Sequence, residues 1–370
     1  MHKNKLIIFN PSIENGGVEK NLFLISNYLA SNIENVYLIT ASKRFKNKFN
    51  SKIKMIMPKY FFWDKLNKKI KYLVCFFLLI KFILVNKKII LFSFQANFYC
   101  SLICLFFPNI ILITRSNTSL AGWSKNILKR FAFKLLFKRI NKVIVNSIDF
   151  KSQINNEFNI KSKYIYNPLD KVEIINKSKK NTKSYYRENT KLKIISVGRF
   201  VNQKDHLTLL RALNLIKKIV KFETILLGEG NMVDDYKLFI KENSLDDKVK
   251  LIKFKKNPYP LIKQSNIVIL SSKYEGLPNI LMEALVLKKY IISSNCPTGP
   301  REILDNGNGG DLFKVGNYCE LARKILNFEK ANKKVLNKKI YHGFKRLYRF
   351  DYKLNMKKYL KIVENEFKKL

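Results

Sequence analysis

The sequence predicts an α/β protein made of two doubly wound, Rossmann-like domains. Its 370 residues exceed one ordinary domain, which holds about 100–200 residues. Short apolar runs alternate with longer amphipathic ones along most of the chain, and strands separated by helices indicate parallel sheets with βαβ crossovers. A polar stretch, 171–190, breaks this alternation once. We interpret it as a linker between the two domains or as a surface excursion.

The first half of the chain predicts an N-terminal domain over 1–170. It opens with a strand at 5–9, a glycine-containing loop and a helix over about 18–29. Further apolar runs predict the strands 36–40, 89–93, 110–114 and 143–146.

The alternation resumes after the linker and predicts a second domain over 191–350. Helices are expected at 205–219 and 232–241. The expected strands are 192–197, 224–227, 249–254, 267–271 and 290–293. The final stretch, 351–370, carries apolar residues at helical spacing, and we expect this helix to pack back on the N-terminal domain.

The composition is that of a folded but very basic protein. Hydrophobic residues make up 47%, which excludes wholesale disorder, whereas the formal net charge is +44. Such charge attracts nucleic acid, anionic lipid or phosphorylated substrates, although a lysine-rich compositional bias would also produce it. The five cysteines include no C-x-x-C pair, and an odd count points to a reducing compartment. The longest uninterrupted apolar run, 73–80, is too short to span a bilayer.

Three glycine-bearing loops follow predicted strands, at the positions where open α/β sheets bind ligands. Paired glycines before a helix let backbone N–H groups approach an anion, and an arginine and a lysine after a strand suit a diphosphate. A plain turn and solvated cations are the alternatives. The residues are Gly16 and Gly17 in ENGGVEK, Gly198, Arg199 and Lys204 in ISVGRFVNQKDHL, and Gly228 in LLGEGNM.

The segment SSKYEGLPNILMEALVLKK is the most specific motif of the chain. Glu275 and Glu283 are eight residues apart, and Pro278 suits the first turn of a helix. Backbone N–H groups of 276–279 would present a positive helix end to a phosphate, and Glu283 would accept hydrogen bonds from sugar hydroxyls. A capped surface helix with two solvated carboxylates is the alternative.

This segment resembles family 4 of the glycosyltransferases, which are retaining enzymes of the GT-B fold. The resemblance extends over about 191–315, and more loosely over 1–170. NPYPLIKQSNIVILSSKYEGLPN is similar to members that build bacterial O-antigen, capsule and lipid-linked oligosaccharides. The resemblance implies two domains facing a central cleft. It also implies transfer of a hexose or N-acetylhexosamine from a nucleotide-sugar, of the UDP class, to a lipid-diphosphate-linked or polysaccharide acceptor.

The resemblance also implies roles for individual residues. Arg199 and Lys204 would hold the donor diphosphate and Glu275 the donor sugar, which makes these three the candidate catalytic residues. Glu283 would bind the ribose, and Gly16 and Gly17 would close the cleft. The donor-binding candidates are Gly16, Gly17, Gly198, Gly228, Gly276, Leu277, Pro278, Asn279 and Glu283.

Two departures from the family concern the acceptor side and metals. Many members carry a histidine in the first domain near the reacting sugar, and the three histidines here do not match it. We predict Arg115, which follows a strand, as its substitute and Asn97 as an acceptor contact, although Arg115 would equally suit the edge of the core. The chain has no Asp-x-Asp pair to hold Mg²⁺, so we expect no metal and no cofactor.

A basic, aromatic-rich segment predicts a membrane partner. Arg130, Lys134 and Lys138 recur every four residues in 123–142 among aromatic and apolar residues, a pattern typical of helices on anionic lipid. Residues 60–85 add aromatic residues and lysines. Ordinary helices packed on a sheet are the alternative. We expect a cytoplasmic protein, peripheral on the inner face of the cytoplasmic membrane.

Three other classes of protein are weighed against the sequence: a nucleic-acid-binding protein, an enzyme of another activity and a non-catalytic relative. A nucleic-acid-binding protein would fit the charge, but no RNA- or DNA-binding module is evident, so we expect no nucleic-acid partner. An epimerase-like or phosphorylase-like relative lacks support from any lysine-anchored cofactor signature. A non-catalytic relative is disfavoured because Arg199, Lys204, Glu275 and Glu283 are all present.

Overall fold

The structure is a computed structural model that describes residues 4–14, 16–117, 119–120 and 127–370. The chain divides into two compact units. Unit 1 comprises Met1–Pro168 and Tyr352–Leu370, and unit 2 comprises Leu169–Asp351. The C-terminal residues therefore belong to the same unit as the N-terminal ones.

The elements of both units alternate between strand and helix. In unit 1 they are β1 Lys5–Phe9, α1 Gly17–Asn32, β2 Val36–Ile39, β3 Lys54–Ile56, α2 Lys68–Leu84, β4 Ile89–Ser93, α3 Asn97–Phe106, β5 Ile111–Ser116, α4 Ile127–Phe137, β6 Lys142–Val145, α5 Ile148–Phe158 and β7 Lys163–Tyr164. In unit 2 they are α6 Lys171–Ser178, β8 Leu192–Val197, α7 His206–Ile216, β9 Phe222–Leu227, α8 Val233–Glu242, β10 Val249–Ile252, α9 Tyr259–Gln264, β11 Ile267–Leu270, α10 Asn279–Val286, β12 Tyr290–Ser294, α11 Pro300–Ile303, β13 Asp311–Phe313, α12 Tyr318–Lys330 and α13 Lys333–Lys345. Helix α14, Tyr352–Phe367, returns to unit 1, and short 3₁₀ helices are Lys43–Lys48, Phe61–Lys65, Asn202–Lys204, Asp305–Gly307 and Arg346–Phe350.

Unit 1 is built on a parallel sheet with the order β3-β2-β1-β4-β5-β6-β7. The strand order reverses between β1 and β4, where Phe9 is paired with Ser93. In doubly wound sheets, ligands bind beyond the carboxyl ends of the strands at such a switch point. The loops that follow β1 and β4 therefore lie at the carboxyl edge of the sheet, which is where such sheets bind ligands.

Alternating side chains of this sheet pack into two apolar layers. Ile7 and Phe9 face the layer that contains α2 and α3, whereas Leu6 and Ile8 face the layer that contains α1 and α14. Burial of these side chains is the main stabilising contribution to such a layered fold. The C-terminal helix is therefore part of the core of unit 1.

Unit 2 repeats the same topology with the order β10-β9-β8-β11-β12-β13, again all parallel. Its switch point lies between β8 and β11, where Ile195 is paired with Val268. The α/β prediction of two doubly wound, Rossmann-like domains is confirmed.

Residues 171–190, which we interpreted as a linker or a surface excursion, begin with helix α6 and group with unit 2. The Asp170 side chain accepts a hydrogen bond from the Glu173 N–H at 2.8 Å, which caps the helix, and Ile174 is fully buried. One buried isoleucine in a polar stretch gives no periodic signal. The predicted helix over 123–142 lies partly outside the described residues, which resume at Ile127 with α4.

Candidate functional site

The loops beyond β8 and β11 bring a lysine and a glutamate together at the switch point of unit 2. The Lys204 Nζ donates to Oε1 of Glu275 at 2.5 Å, and Ser272 Oγ donates to the same oxygen at 2.6 Å. Both members of the pair are largely buried. A buried carboxylate paired with a cation holds that cation in one position, which a solvated lysine would not keep.

A second set of hydrogen bonds ties these two loops to each other. The Lys273 N–H donates to the carbonyl of Gln203 at 2.9 Å, and Gln203 Nε2 donates to the carbonyl of Tyr274 at 2.9 Å. Ser271 Oγ donates to the carbonyl of Lys204 at 3.1 Å. The backbone on both sides of the ion pair is therefore fixed.

The loop after β12 closes on the other side of Glu275. The Thr298 N–H donates to the Glu275 carbonyl at 3.1 Å, and Thr298 Oγ1 donates to the carbonyl of Gly276 at 2.9 Å. Gly299 has φ +94, and a Cβ there would lie 2.4 Å from the carbonyl oxygen of Gly276. A side chain at Gly299 would force these two loops apart.

Gly228 brings the loop after β9 against the loop after β8. A Cβ at Gly228 would lie 1.9 Å from the carbonyl oxygen of Gly198, so only glycine permits this approach. A Cβ at Gly198 would in turn lie 3.4 Å from Cδ of Lys204. Because these two residues have no side chain, the two loops can pack closely against each other and beside the buried lysine. Arg199 follows Gly198 on this loop, and its side chain is exposed.

Helix α10 positions the second glutamate of the motif. It begins after Pro278, its N-cap, and runs from Asn279 to Val286. Glu283 is buried, and the Tyr259 hydroxyl lies 3.1 Å from its Oε1. Leu277, just before the helix, is also buried. The E-x7-E spacing thus places both carboxylates in the interior around one loop and helix start, and not on a solvated surface.

A buried histidine lies under the β8 loop. His206 packs between the rings of Phe200 and Tyr236, at 5.5 and 5.6 Å between centroids, and its Nδ1 is 3.3 Å from Ser196 Oγ. Burial, followed by the charge of Lys204, lowers the pKa of His206 to about 4. The imidazole is therefore neutral at physiological pH.

This depressed pKa predicts a loss of stability in acid. The unfolded chain takes up the His206 proton near pH 6.5 and the folded chain only near pH 4, so stability is full above about pH 6.5 and falls as the pH drops toward 4. The difference amounts to roughly 3 kcal/mol. We expect His206→Asn to flatten this dependence in urea unfolding followed by far-UV circular dichroism. The same slope in variant and wild type would contradict the prediction.

In unit 1, the two candidate glycines lie where the loop after β1 meets the start of α1. Gly16 is the N-cap of α1, and both Gly16 and Gly17 are exposed at the carboxyl edge of the sheet. Asn97 opens α3 after β4, and its Nδ2 donates to the Arg115 carbonyl at 3.1 Å and to Ser116 Oγ at 3.3 Å. The Asn97 amide nitrogen therefore ties the start of α3 to the end of β5.

Arg115 lies in the core and not on an acceptor surface. Its side chain is fully buried, with Nε donating to the Tyr359 hydroxyl at 2.8 Å and Nη2 to Asn167 Oδ1 at 2.7 Å. Its guanidinium also lies 5.7 Å from the centroid of the Phe94 ring. The contacts therefore favour the alternative of a core arginine, which fastens the last helix of the chain to the first sheet.

Replacing Arg115 with methionine should destabilise unit 1 by about 2 kcal/mol without specifically removing acceptor binding. The guanidinium joins the end of β5 to α14 through Tyr359 and to Asn167, so its loss leaves hydrogen-bonding groups without a donor in the core. Removing a buried charge offsets part of this loss, which keeps the expected effect moderate. An arginine that contacts the acceptor would instead be replaceable without loss of stability.

Tryptophan fluorescence can follow this effect in unit 1 alone, because both tryptophans, Trp63 and Trp123, fall within its residue range. Tyr359→Phe should lower the free energy of unfolding by about 1 kcal/mol. The double variant should lose less than the sum of the two single changes, since they remove one shared hydrogen bond. If Arg115→Met left the free energy of unfolding unchanged and raised only the KM for the acceptor, Arg115 would be an acceptor contact and not a core arginine.

The structure thus brings together Lys204, Glu275 and the loop that begins at Gly276, while it places Gly16, Gly17, Asn97 and Arg115 in the other unit. Sequence reasoning missed the partners of the two glutamates. These are Ser272, three residues before Glu275, and the distant Tyr259. Of these two partners, only Ser272 could have been inferred from the sequence, through the S-x-x-E spacing at 272–275.

Comparison with known families and proteins shows what the residues around this site are similar to. The profile of the family "Glycosyl transferases group 1" matches residues 177–345. An uncharacterized glycosyltransferase of Methanocaldococcus jannaschii is 32% identical over 188 residues, which are 49% of this chain and 46% of that protein. The chain therefore spans about half the length of that relative.

A second relative is named for a lipid-linked substrate. The N-acetylgalactosamine-N,N'-diacetylbacillosaminyl-diphospho-undecaprenol 4-alpha-N-acetylgalactosaminyltransferase of Campylobacter jejuni is 28% identical over 65% of this chain and 67% of its own length. The names of this relative and of the matched family both refer to glycosyl transfer.

Solved structures bear on the fold alone. Anabaena HepE, crystallised with UDP, superposes with a TM-score of 0.76 at 16% identity and covers 99% of this chain and 100% of its own. Residues 177–345 of this chain thus match the profile of the glycosyl transferases group 1 family, and the chain has the GT-B fold.

Proposed function

We propose that this chain is a retaining glycosyltransferase of surface glycan biosynthesis. It moves a hexose or N-acetylhexosamine from a nucleotide-sugar, of the UDP class, to a lipid-diphosphate-linked or polysaccharide acceptor. The observation that carries the proposal is the buried Lys204–Glu275 pair at the switch point of unit 2. Family 4 is the proposed family, on the E-x7-E motif and its strand, loop and helix context.

The donor diphosphate would lie against the loops after β8 and β11. When the glycosidic bond to the leaving nucleotide breaks, negative charge develops on the diphosphate oxygens. Lys204, Arg199 and the backbone N–H groups of 276–279 supply positive charge for it, with Pro278 as the one position without an N–H. Because Glu275 and the backbone hydrogen bonds hold Lys204, little reorganisation accompanies this step. We propose that the site uses no metal.

Glu275 has two roles in this proposal. One oxygen, Oε1, accepts from both Lys204 and Ser272, which fixes the carboxylate. The other would accept hydrogen bonds from donor sugar hydroxyls. In the retaining course, the acceptor hydroxyl attacks from the face that the diphosphate leaves, and the departing diphosphate oxygen takes the acceptor proton.

The names of the relatives support these substrate classes. The Campylobacter protein is named for a diphospho-undecaprenol substrate, and HepE was crystallised with UDP. The relatives also include CapH of Staphylococcus aureus, named for capsular polysaccharide biosynthesis. A lipid-diphosphate acceptor and a uridine donor are therefore the first substrates to test.

A donor screen with Glu283 variants tests the proposal. With UDP-hexoses and UDP-N-acetylhexosamines and a lipid-diphosphate-linked sugar, we expect one donor to add one sugar mass to the acceptor. Glu283→Gln should raise the Kd for UDP about tenfold, because a carboxylate accepts from ribose hydroxyls more strongly than an amide does. Tyr259→Phe should raise it only about twofold.

The exposed Glu242, at the end of α8, gives a matched control. Glu242→Gln should leave the Kd for UDP unchanged when binding is measured by calorimetry. If no nucleotide-sugar transferred its sugar and UDP bound to wild type and Glu283→Gln alike, the proposed function would be wrong.

A further inference from the structure

One helix layer of unit 1 exposes apolar side chains on its outer side. Leu73, Phe77 and Leu84 of α2 are 72, 69 and 70% exposed, and they follow one another at spacings of four and seven residues. The opposite side of α2 packs on the sheet through Cys75 and Leu79. An amphipathic helix of an α/β protein normally turns polar residues to solvent. Helix α2 is therefore apolar on both sides.

The neighbouring helices extend this surface. On α3, Leu105 and Phe106 are more than half exposed, and on α4 so is Phe131. Ring contacts join the three helices side by side: Phe76 of α2 with Tyr99 of α3 at 5.5 Å, and Phe98 of α3 with Phe133 of α4 at 5.0 Å. We call Leu73, Phe77, Leu84, Leu105, Phe106 and Phe131 the apolar face.

The stretch of sequence that carries this face has charges of a single sign. Between Asp64 and Asp149 the sequence holds 15 Lys and Arg and no Asp or Glu. Lys69 and Lys81 are exposed on α2 itself, and Lys87 is exposed just after its end. An apolar stripe with lysines along it is complementary to a bilayer surface that carries anionic headgroups.

We infer that the apolar face lies on an anionic lipid surface, with its leucines and phenylalanines in the headgroup region and its lysines on the lipid phosphates. Two copies of this chain would bring like charge together, which disfavours self-association through this face. None of the described helices has the length and apolar character to cross a bilayer, so the contact is interfacial.

The inference differs from the sequence prediction in its location, because α2 and α3 carry most of the face and the segment 123–142 contributes only its described part. It extends the proposed function, whose acceptor is lipid-linked, but it depends on unit 1 alone. Helix α2 begins at the carboxyl edge of the sheet, the edge that also holds Gly16. Leu84, Leu105 and Phe106 lie at the other ends of their helices, so a bilayer along the whole face would contact both edges of this layer, including the one that holds Gly16.

Vesicle flotation of the full chain tests this inference. We expect binding to vesicles of equal parts phosphatidylglycerol and phosphatidylcholine, and at least tenfold weaker binding to phosphatidylcholine alone. Raising the salt from about 0.1 M to about 1 M should weaken binding to the vesicles that contain phosphatidylglycerol, because the screening length falls from about 10 to about 3 Å. Equal binding to both vesicles would overturn the inference.

Paired variants distinguish membrane binding through the apolar face from nonspecific hydrophobic binding. Leu73→Ser with Phe77→Ser should weaken binding about tenfold or more, because two exposed apolar side chains are lost without a change in the core. The control is Leu215→Ser with Leu238→Ser in unit 2, where both leucines are about half exposed and binding should be unchanged. An equal loss in both pairs, or none in the first, would overturn the inference.

Charge variants test whether the lysines beside the apolar face contribute to lipid binding. Replacing Lys69, Lys81 and Lys87 with glutamine should weaken binding at least tenfold, whereas the same change at exposed lysines of unit 2 should leave it within about twofold. The control lysines are Lys218, Lys221 and Lys330. An equal loss in the two sets would mean that the overall charge, and not this face, drives binding.

Two further measurements separate the remaining explanations. A wild-type dimer in sedimentation that Leu73→Ser with Phe77→Ser dissociates would assign the face to a second copy and overturn the inference. Sugar transfer to a short, water-soluble acceptor should be unchanged in this variant. Since flotation uses no donor, a failed donor screen with intact, face-dependent flotation would refute the proposed function alone.

Discussion

Replacing Lys204 with methionine should lower kcat/KM for sugar transfer about 1000-fold while unit 2 keeps its fold. The lysine is the one cation of the predicted site whose position is fixed by the described contacts, through its 2.5 Å hydrogen bond to Glu275. Losing a fixed charge that stabilises a leaving group typically costs about 100–1000-fold, as does losing a donor of an oxyanion hole. We expect most of the loss in kcat, since the interaction strengthens as the diphosphate leaves.

A second lysine close to the site offers a matched control for this variant. Lys273 is exposed, and its ammonium hydrogen-bonds the side chain of Asn202. Lys273→Met therefore removes one positive charge near the site without touching the ion pair, and kcat/KM should stay within about twofold of wild type. Transfer is measured with the donor that the screen identifies. Wild-type-like turnover in Lys204→Met would remove this site assignment.

The fold was largely predictable because buried parallel strands leave a clear sequence signal. Strands such as β1 and β8 are predominantly apolar runs, and their predicted bounds match the structure. The strands that were missed, β3, β7 and β13, have two or three residues each and lie at the sheet edges. Such short runs carry too few apolar positions for periodicity to reveal them.

The candidate site was predictable only in part, because spacing identifies residues close in sequence and not their distant partners. The motif around Glu275 and Glu283 indicated which carboxylates matter. The bond from Lys204 to Glu275 joins residues 71 positions apart, and the sheet topology alone brings them together. Tyr259 was missed for the same reason, since its contact with Glu283 crosses 24 residues.

Replacing Glu275 with glutamine should lower kcat/KM at least 100-fold, again without loss of the fold. The amide keeps the shape of the side chain and can still accept from Ser272, but it no longer carries the charge that holds Lys204. It is also a weaker acceptor for the hydroxyls of the donor sugar. Initial rates of transfer measure the loss, and far-UV circular dichroism checks that the variant is folded.

The double variant with Lys204→Met shows how the carboxylate acts. If Glu275 works chiefly by holding the ammonium in place, the double variant should be only a few-fold slower than Lys204→Met alone, because the two side chains act as one unit. Fully additive losses would mean that the two residues act independently. In that case Glu275 would serve the donor sugar alone, and the backbone hydrogen bonds of the two loops would suffice to position Lys204.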